Sequence, residues 1–584
     1  MPDSGDVHGV EASQRSDSQV RVFPMPPRDN AGPEEIMQGF LEVLTSDDPQ
    51  FEMARRYLTT DAAHTWHPEL STTVLTDGPN LQRTTDRSGY DDAEGRQYTL
   101  NGRKIATVDE QHAYAPAQGG YRETVHLTLQ TRNGHREWRI DRPPSSAVLG
   151  TSDFQRMYRP VDKYYFARDD STGPGAQAPL VADPVYVRQR LDPVTQTVRS
   201  LLAGPSRWID PAVRSAFPAG TALRPGTRAI APDDENRLRV PLNTKADHIT
   251  QPQCLRMAAQ IVFTLRDLTA TGIAEVQLRR SDGSSLCELG KDRAETVAPH
   301  HSADRPGHQY FLDDKNRTVR LPATGSDDQA EPVPGPLGTG DKPLSAIAVA
   351  RDEQRAAGIS LDRRTLYITD LATSATLGEP ALHSKAKAEK DGLTAPSWDA
   401  RGDLWVADRN PRKPALLLLD PDTDQPLRVD TPGLDPARIE AVRIASDGVR
   451  IALLTEDHGS TSLSIGRVHR TRDADGGPVV TVTQLRPGAP QMEDVTAMSW
   501  AGGSRLVVVG RESGGVQQIR FVQCDGSAPA SGVLPGLTGV QQIAASDDDR
   551  LPLVAHSDDG IVRLPPGTPW QTVRKKGTAP VYPG

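Results

Sequence analysis

The sequence has 584 residues, of which 36% are hydrophobic and 5% aromatic, and it contains 49 glycines and 49 prolines. This composition favours several thin cores of short strands and tight turns over a few long packed helices. At about 150 residues per domain, the length predicts three or four domains. The formal net charge of −10 argues against nucleic acid binding, because such binding needs lysine and arginine to displace counterions from phosphates.

The chain begins with a segment that has no apolar period. Residues 1–30 are polar and rich in proline, which predicts a tether. A helix is predicted next, because Ile36, Phe40 and Leu44 form one apolar stripe. Alternating strands follow it. Helices followed by an antiparallel sheet predict an α+β domain over residues 31–160, similar to the cone-shaped nuclear-transport-factor-2-like (NTF2-like) fold.

A second α+β domain is predicted over residues 161–300. A strand is expected at 164–166, a helix at 184–202 and another helix at 253–268, the last with an apolar face.

Two short motifs of this second domain occur in order along the chain. Leu201-Leu-Ala-Gly-Pro205 is followed by Phe217-Pro-Ala-Gly-Thr221. Together they resemble the GerMN domain of spore-germination and cell-envelope proteins. The resemblance implies a GerMN-like fold for this part of the chain.

The chain contains three cysteines, and none lies in a C-x-x-C pair, which argues against a zinc or thiol-redox site of that kind. Cys254 and Cys287 fall within one predicted domain. We predict a disulfide between them, as expected of an exported protein, the alternative being two reduced, buried thiols. Cys524 is predicted to be unpaired.

The last part of the chain repeats. Residues 301–340 are rich in Asp, Gly and Pro and are interpreted as a linker or edge strand. Residues 341–584 contain five similar apolar stretches at a period of about 45 residues, each followed by a polar turn and a second strand. Such a repeat predicts a β-propeller, in which each small sheet buries its apolar face against the next. Five blades are predicted; the alternative is six, with one built partly from residues 307–322.

The sequence lacks the common catalytic motifs for a serine esterase, a phosphate-binding loop or a zinc protease. Two fragments resemble a catalytic or metal-binding motif. Ser384 and Lys387 have the S-x-x-K spacing but lie in a lysine-rich stretch, which predicts an exposed loop. Asp420, Asp422 and Asp424 have the spacing of a calcium loop but lack its glycine and glutamate, which predicts a hairpin turn. We therefore assign no catalytic, cofactor-binding or metal-binding residue.

Two further groups of side chains were weighed as sites. His64 and His67 could hold a metal from one helix face, but no third ligand is evident, so a surface or helix-end role is favoured. Trp398, Trp405 and Trp500 could line a sugar-binding surface. Because Trp398 and Trp500 occupy equivalent repeat positions, buried blade cores are favoured.

The order of the three predicted domains is the most informative feature of the chain. An NTF2-like domain, a GerMN-like domain and a propeller, in this order, resemble the actinobacterial lipoprotein LpqB family over essentially the whole chain. The segments that carry the resemblance are Arg55-Arg-Tyr-Leu-Thr59 with Trp66, Tyr114-Ala-Pro116, Glu137-Trp138, Leu201-Leu-Ala-Gly-Pro205 and Ala395-Pro-Ser-Trp398.

The resemblance implies a lipoprotein on the outer face of the cell membrane. Family members carry a signal peptide that ends at a lipid-modified (palmitate-bearing) cysteine, followed shortly by a segment like Met1-Pro-Asp-Ser-Gly5. No cysteine precedes that segment here. Either the signal and anchor have been removed, or the start codon has been assigned too late.

The resemblance also implies a partner. Family members are associated with the sensor histidine kinase MtrB of the MtrA–MtrB two-component signalling system, and they affect cell division, envelope homeostasis and development. We therefore expect a non-enzymatic accessory protein that binds the extracellular domain of such a kinase, with no cofactor and no nucleic acid. The alternative is a cell-wall glycan-binding protein or a glycan or peptide hydrolase, which predicts acidic and aromatic side chains in the propeller channel.

Overall fold

The computed structural model describes residues 23–584 except 49, 84–94, 133, 169–177, 267, 269–271, 298–305, 325–328, 421–424 and 530–531. Most of the predicted tether therefore lies outside the described residues. Two compact units are present. The first comprises the described residues up to 104 together with 120–157, and the second comprises 105–119 together with 158–584.

The first unit has helices before its sheet, as predicted, and its described residues contain three of them there. The helices are Pro33–Leu44, Glu52–Arg56 and Thr60–Thr65, and a further helix, Thr151–Met157, ends the unit. The sheet has six strands, which are Thr72–Leu75, Asn80–Arg83, Gly95–Val108, Tyr114–Arg132, His135–Arg142 and Ala147–Gly150. The first and last of these strands pair in parallel, so the sheet is mixed and the prediction of an antiparallel sheet is wrong for that pair. The α+β order of the unit is as predicted.

The core of the first unit forms around the first helix. The apolar stripe of Ile36, Phe40 and Leu44 is buried, as its period predicts. The Phe40 ring lies 5.5 Å from the Trp66 ring, and the Trp66 indole donates a hydrogen bond of 2.7 Å to the carbonyl of Pro144. A buried indole with a satisfied N–H fixes the helices to the loop between the last two strands of the sheet.

The described part of the middle domain, residues 158–297, has two small sheets and three α-helices. One sheet contains the strands Tyr158–Ala167, Leu180–Arg188 and Val213–Arg214, and the other contains Arg237–Pro241, Glu275–Arg279 and Ser285–Gly290. The helices are Pro193–Ala203, Gln251–Leu265 and Lys291–Val297. The predicted strand at 164–166 and the predicted helix at 253–268 are confirmed, with shifted ends.

The helix predicted over residues 184–202 is wrong in its first half. Leu180–Arg188 is a strand that is buried along its whole length, and it pairs antiparallel with Tyr158–Ala167. A fully buried strand has no alternation, so its apolar run is hard to distinguish from a buried helix by sequence alone. The helix begins at Pro193, where the Asp192 carboxylate accepts the N–H of Thr195 and so caps it.

The C-terminal domain is built from six small antiparallel sheets. The first contains Glu331–Pro332, Thr318–Pro322, His308–Leu312 and Thr578–Val581. The second contains Leu344–Val349, Arg355–Ser360, Thr365–Asp370 and Leu382–His383. The third contains Ser397–Trp398, Leu404–Asp408, Ala415–Leu419 and Leu427–Val429. The fourth contains Ile439–Ile444, Arg450–Asp457, Ser460–Arg472 and Pro478–Pro487. The fifth contains Asp494–Trp500, Arg505–Arg511 and Gln517–Gln523, and the sixth contains Gln542–Ala544, Leu553–Ser557, Gly560–Leu564 and Gln571–Arg574.

These sheets follow one another with their first strands in contact. The first strand of each sheet from the second to the fifth contacts the first strand of the next one. The C-terminal strand Thr578–Val581 contacts first strands of the sixth and the second sheets, and it pairs antiparallel with His308–Leu312. The arrangement is propeller-like, with apolar clusters buried between successive sheets.

The segment 301–340, interpreted as a linker or edge strand, contains strands of the first sheet, in agreement with the alternative that a sixth repeat is built partly from residues 307–322. His308–Leu312 and Thr318–Pro322 are strands of the first sheet, and Tyr310 and Leu321 are buried in its two faces. The segment has turn-forming residues on both sides. Its short strands are stabilised by pairing with the far end of the domain, which local composition cannot indicate.

Candidate functional site

A small cavity of about 60 Å³, open to solvent, lies where the first strands of the propeller-like domain converge. Its walls come from the first strands of the second to sixth sheets and from residues 580–584. We call this cavity the channel.

One position of the repeat faces the channel in five successive sheets. Alignment of the repeated stretches places Ala348, Ser397, Arg443, Ser499 and Ala544 at this position, and all five line the channel. Four of these side chains are small and leave the space open. Only the fourth sheet contributes a long, charged side chain.

The guanidinium of Arg443 has no carboxylate partner within the described part of the chain. It donates a hydrogen bond of 2.9 Å to the carbonyl of Val442. Burial lowers its pKa to about 10, and it therefore stays charged at neutral pH. The other charged side chain in the channel wall, Asp547, forms an ion pair of 3.2 Å with Arg351.

Two serines of the channel wall link neighbouring sheets. The hydroxyl of Ser397 accepts the N–H of Ile444 at 3.2 Å, and that of Ser499 accepts the N–H of Ala545 at 3.1 Å. Each bond runs from one first strand to the segment that begins the next sheet. These hydroxyls satisfy backbone groups that would otherwise point, unpaired, toward the channel.

The middle domain packs on the propeller-like domain through polar contacts. The Asp162 carboxylate accepts hydrogen bonds from the hydroxyl of Ser504, at 2.5 Å, and from its N–H, at 3.2 Å. The Trp208 indole donates to the carbonyl of Gln484 at 2.8 Å, and its ring lies under the guanidinium of Arg486 at 3.7 Å. These contacts hold the two domains in one compact unit.

A buried series of hydrogen bonds connects the middle domain and the propeller-like domain. The hydroxyl of Tyr186 donates to that of Ser527, which donates to Asp525 at 2.6 Å. Asp525 is 2% exposed, and its second carboxylate oxygen has no hydrogen-bond partner among the described residues. Burial raises the pKa of Asp525 to about 6, and the positive charge of Arg486 opposes that rise. The ring of Tyr114 packs beside these hydrogen bonds, with its centroid 5.6 Å from that of the Tyr186 ring.

Sequence reasoning missed these residues. Arg443 could have been found, because it replaces Ala or Ser at one repeat position. Asp162 and Asp525 carry no such signal, since each stands in an ordinary polar sequence and acquires its environment only where two domains meet.

The structure joins Cys254 and Cys287 in a disulfide, with Cα atoms 6.1 Å apart. Cys254 lies on the helix Gln251–Leu265 and Cys287 on the strand Ser285–Gly290, so the bond fixes that helix to its sheet. Cys524 is free and buried.

The S-x-x-K fragment is only partly the exposed loop that its sequence predicts. Lys387 is exposed, but Ser384 is buried, so the prediction is wrong for the serine. Its hydroxyl donates to Asp408 at 2.7 Å and accepts the N–H of Ala386 at 3.1 Å. The serine hydroxyl therefore stabilises a turn. Of the aspartates with calcium-loop spacing, Asp422 and Asp424 lie outside the described residues.

The two histidines do not share a helix face. The helix Thr60–Thr65 ends between them, and His67 Nδ1 lies 3.0 Å from a carboxylate oxygen of Glu69. Within the described ranges, no three or more His, Cys, Asp or Glu side chains form a group that could hold a metal ion.

The three tryptophans weighed as a sugar-binding surface lie in the cores between sheets. Trp398, Trp405 and Trp500 are 1%, 0% and 8% exposed, which confirms the prediction of buried blade cores. Trp398 and Trp500 follow the channel-facing serines Ser397 and Ser499, so the Ser-Trp pair has the same place in the third and fifth sheets.

Three family models match the chain in succession. Residues 26–155 match the N-terminal domain of lipoprotein LpqB, residues 163–287 match the sporulation and spore germination domain, and residues 321–583 match the lipoprotein LpqB β-propeller domain.

Similar proteins occur in actinobacteria. Lipoprotein LpqB of Streptomyces avermitilis is 57% identical over 100% of this chain and 95% of its own length. Lipoprotein LpqB of Streptomyces coelicolor is 56% identical over 100% of this chain and 95% of its own length. Among solved structures, TolB from Acinetobacter baumannii is similar at a TM-score of 0.33 and 15% identity, over 54% of this chain and 84% of that one, a likeness too weak to carry an argument.

The fold and these matches define a multidomain protein with N-terminal α+β domains and a C-terminal propeller-like domain. No helix in the described ranges is long and apolar enough to cross a membrane. The chain belongs to the lipoprotein LpqB family.

Proposed function

We propose that this protein is a non-enzymatic, extracytoplasmic accessory protein that binds the extracellular domain of a membrane sensor histidine kinase and modulates it. The observation that carries the proposal is membership of the lipoprotein LpqB family over the whole chain, with all three family domains in order. The kinase implied by the family resemblance is MtrB of the MtrA–MtrB system. Its modulation would affect cell division, envelope homeostasis and development.

We further propose that the six sheets form a closed six-bladed propeller and that the first unit has the NTF2-like fold. Closure of the ring by the pairing of Thr578–Val581 with His308–Leu312 would make the domain a rigid body. The middle domain, held on it by Asp162 and Trp208, extends the same rigid surface. A rigid surface is suited to binding because little conformational entropy is lost when a partner docks.

The mechanism would be a shift of the kinase between two states. A bound protein can shift such an equilibrium only by as much as it prefers one state over the other. We therefore expect tighter binding to one signalling state of the kinase than to the other.

Binding of the full chain to the purified extracellular domain of the kinase tests this proposal. We expect saturable binding with a Kd on the order of 1 μM, and altered autophosphorylation of the full-length kinase in proteoliposomes. The extracellular domain of an unrelated sensor kinase is the matched control and should not bind. Equal binding to both kinase domains, or no binding to either, would contradict the proposal.

We also propose that a lipid on an N-terminal cysteine anchors the protein to the outer face of the cell membrane, as the family name implies. Labelling with radioactive palmitate of the protein expressed from its own locus, followed by detergent phase partition, tests this. Label in the protein and recovery in the detergent phase are expected. An unlabelled protein in the aqueous phase would contradict the anchor.

The alternative function, a glycan or peptide hydrolase, has less support. Glycoside hydrolysis commonly uses two carboxylates that face each other across the bond to be cleaved. Among the described residues of the channel wall, Asp547 is the one acidic side chain, and it is paired with Arg351. Retention of the full chain on purified peptidoglycan, with no kinase present, would favour the glycan-binding form of this alternative.

A further inference from the structure

The channel contains an arginine that the fold does not require. At the channel-facing position of the repeat, the second, third, fifth and sixth sheets have Ala or Ser, so a small side chain is sufficient to build that strand. Arg443 places a guanidinium in the space that those small residues leave open. Placing an arginine in the wall of a cavity costs desolvation energy, so we expect another interaction to compensate for that cost.

That compensation does not come from a carboxylate of the described chain. Within the described ranges, no ion pair links Arg443 to an acidic side chain or to the terminal carboxylate of Gly584, which also lines the channel. Of the five N–H groups of a guanidinium, one is used by the carbonyl of Val442. Asp547 is held by Arg351. The remaining donors of Arg443 are therefore available to an acceptor that enters the channel.

The surroundings of Arg443 suit a small anionic group. The hydroxyl of Ser446 lines the same wall and can add a hydrogen bond, while the Trp500 ring provides an apolar side. The position of the arginine backbone is fixed, because its carbonyl accepts the Trp500 indole N–H at 2.9 Å. A guanidinium on a fixed backbone can donate two parallel hydrogen bonds to one carboxylate or phosphate.

We propose that the channel of the propeller-like domain is a binding site for an oxyanion, a carboxylate or a phosphate group, with Arg443 as its main ligand. The segment after Arg443 connects this site with the middle domain, because Ser446 lines the channel and Val449 is buried in the core cluster of the middle domain.

Calorimetric titration of the full chain with inorganic phosphate and, separately, with N-acetylalanine tests the proposal and distinguishes the two sources of anion. We expect at least one of them to bind with a Kd on the order of 1 mM or tighter. Arg443→Gln should weaken that binding at least about tenfold, and Arg443→Lys, which keeps the charge but loses the two-pronged geometry, should weaken it less. Arg550→Gln is the matched control: Arg550 is exposed, pairs with Asp548 on the surface and should not affect binding.

A second measurement applies even if Arg443→Gln does not fold. The indole N–H of Trp500 reports on Arg443 through its hydrogen bond, and its NMR signal can be assigned by comparison with Trp500→Phe. Addition of the bound anion to the unmodified protein should shift that signal in a saturable way. Absence of binding by both anions, binding unchanged in Arg443→Gln, or a Trp500 signal that does not move during saturation would overturn the proposal.

Discussion

Asp162 of the middle domain accepts two hydrogen bonds from one residue of the propeller-like domain, Ser504, through its hydroxyl at 2.5 Å and its N–H at 3.2 Å. A carboxylate that receives both donors of a single residue fixes the position and the orientation of that residue. Ser504 lies in the turn between the first two strands of the fifth sheet. The contact therefore holds the middle domain against that turn.

Ser504→Ala should weaken the coupling between the two domains. The variant removes a charge-assisted hydrogen bond to Asp162, and we expect a loss of about 1–3 kcal/mol in the free energy of unfolding. Urea denaturation followed by circular dichroism measures it. Ser374→Ala, at an exposed serine of the same domain, is the control and should change stability by less than about 0.5 kcal/mol. Equal stability of the two variants would show that the contact contributes nothing.

Asp525 should make the stability of the protein depend on pH. Its pKa in the folded state is raised by burial to about 6, above that of an exposed aspartate. Its favourable contribution is therefore complete below about pH 4 and is lost as the pH rises through 6. Asp525→Asn should remove this dependence, so that between pH 4 and 7.5 the wild type loses up to about 3 kcal/mol relative to the variant.

Chemical denaturation of both proteins across this pH range measures the difference. Asp549→Asn, at an exposed aspartate, is the control and should run parallel to the wild type. A constant difference between wild type and Asp525→Asn at every pH would mean that Asp525 does not titrate in this range.

The tryptophans at equivalent repeat positions should respond differently to replacement by phenylalanine. The Trp500 indole donates to the carbonyl of Arg443 at 2.9 Å, whereas the Trp398 indole N–H is buried and has no partner among the described residues. Both substitutions remove the same volume, but only Trp500→Phe leaves a carbonyl without its donor. We expect Trp500→Phe to cost about 1–2 kcal/mol more than Trp398→Phe.

Thermal and urea unfolding of the two variants make this comparison, and each serves as the control for the other. An equal or larger loss for Trp398→Phe would contradict the prediction.

The disulfide between Cys254 and Cys287 should stabilise the middle domain. It closes a loop with a sequence separation of 33 residues, for which the chain-entropy relation gives about 3–4 kcal/mol. Cys254→Ala with Cys287→Ala should lower the free energy of unfolding by that amount, measured by denaturation under oxidising conditions. A reducing agent should then destabilise the wild type but leave the double variant unchanged. Sensitivity of the double variant to the reductant would assign the effect to another group, such as Cys524.

Patterns over a few residues were sufficient to predict many of the helices and strands. The stripe of Ile36, Phe40 and Leu44 predicted its helix, and the repeated stretches predicted the first strands of the second to sixth sheets, because burial of one face imposes a period on the sequence. The same reasoning failed at residues 184–188. That segment is buried on both faces of its strand, so it has no period to recognise.

The sequence by itself determined the order of the domains, the repeat and the family, and it placed Cys254 and Cys287 in the same domain. Tertiary structure alone decided which distant segments meet. His308–Leu312 pairs with Thr578–Val581, and Asp162 meets Ser504, through contacts that no local pattern encodes. The environment of Arg443 was decided in the same way: its charge is evident from the sequence, but its lack of a carboxylate partner among the described residues depends on side chains brought together from five sheets. Periodicity is a property of neighbouring residues, whereas pairing, burial and charge compensation depend on residues that only the folded chain brings into contact.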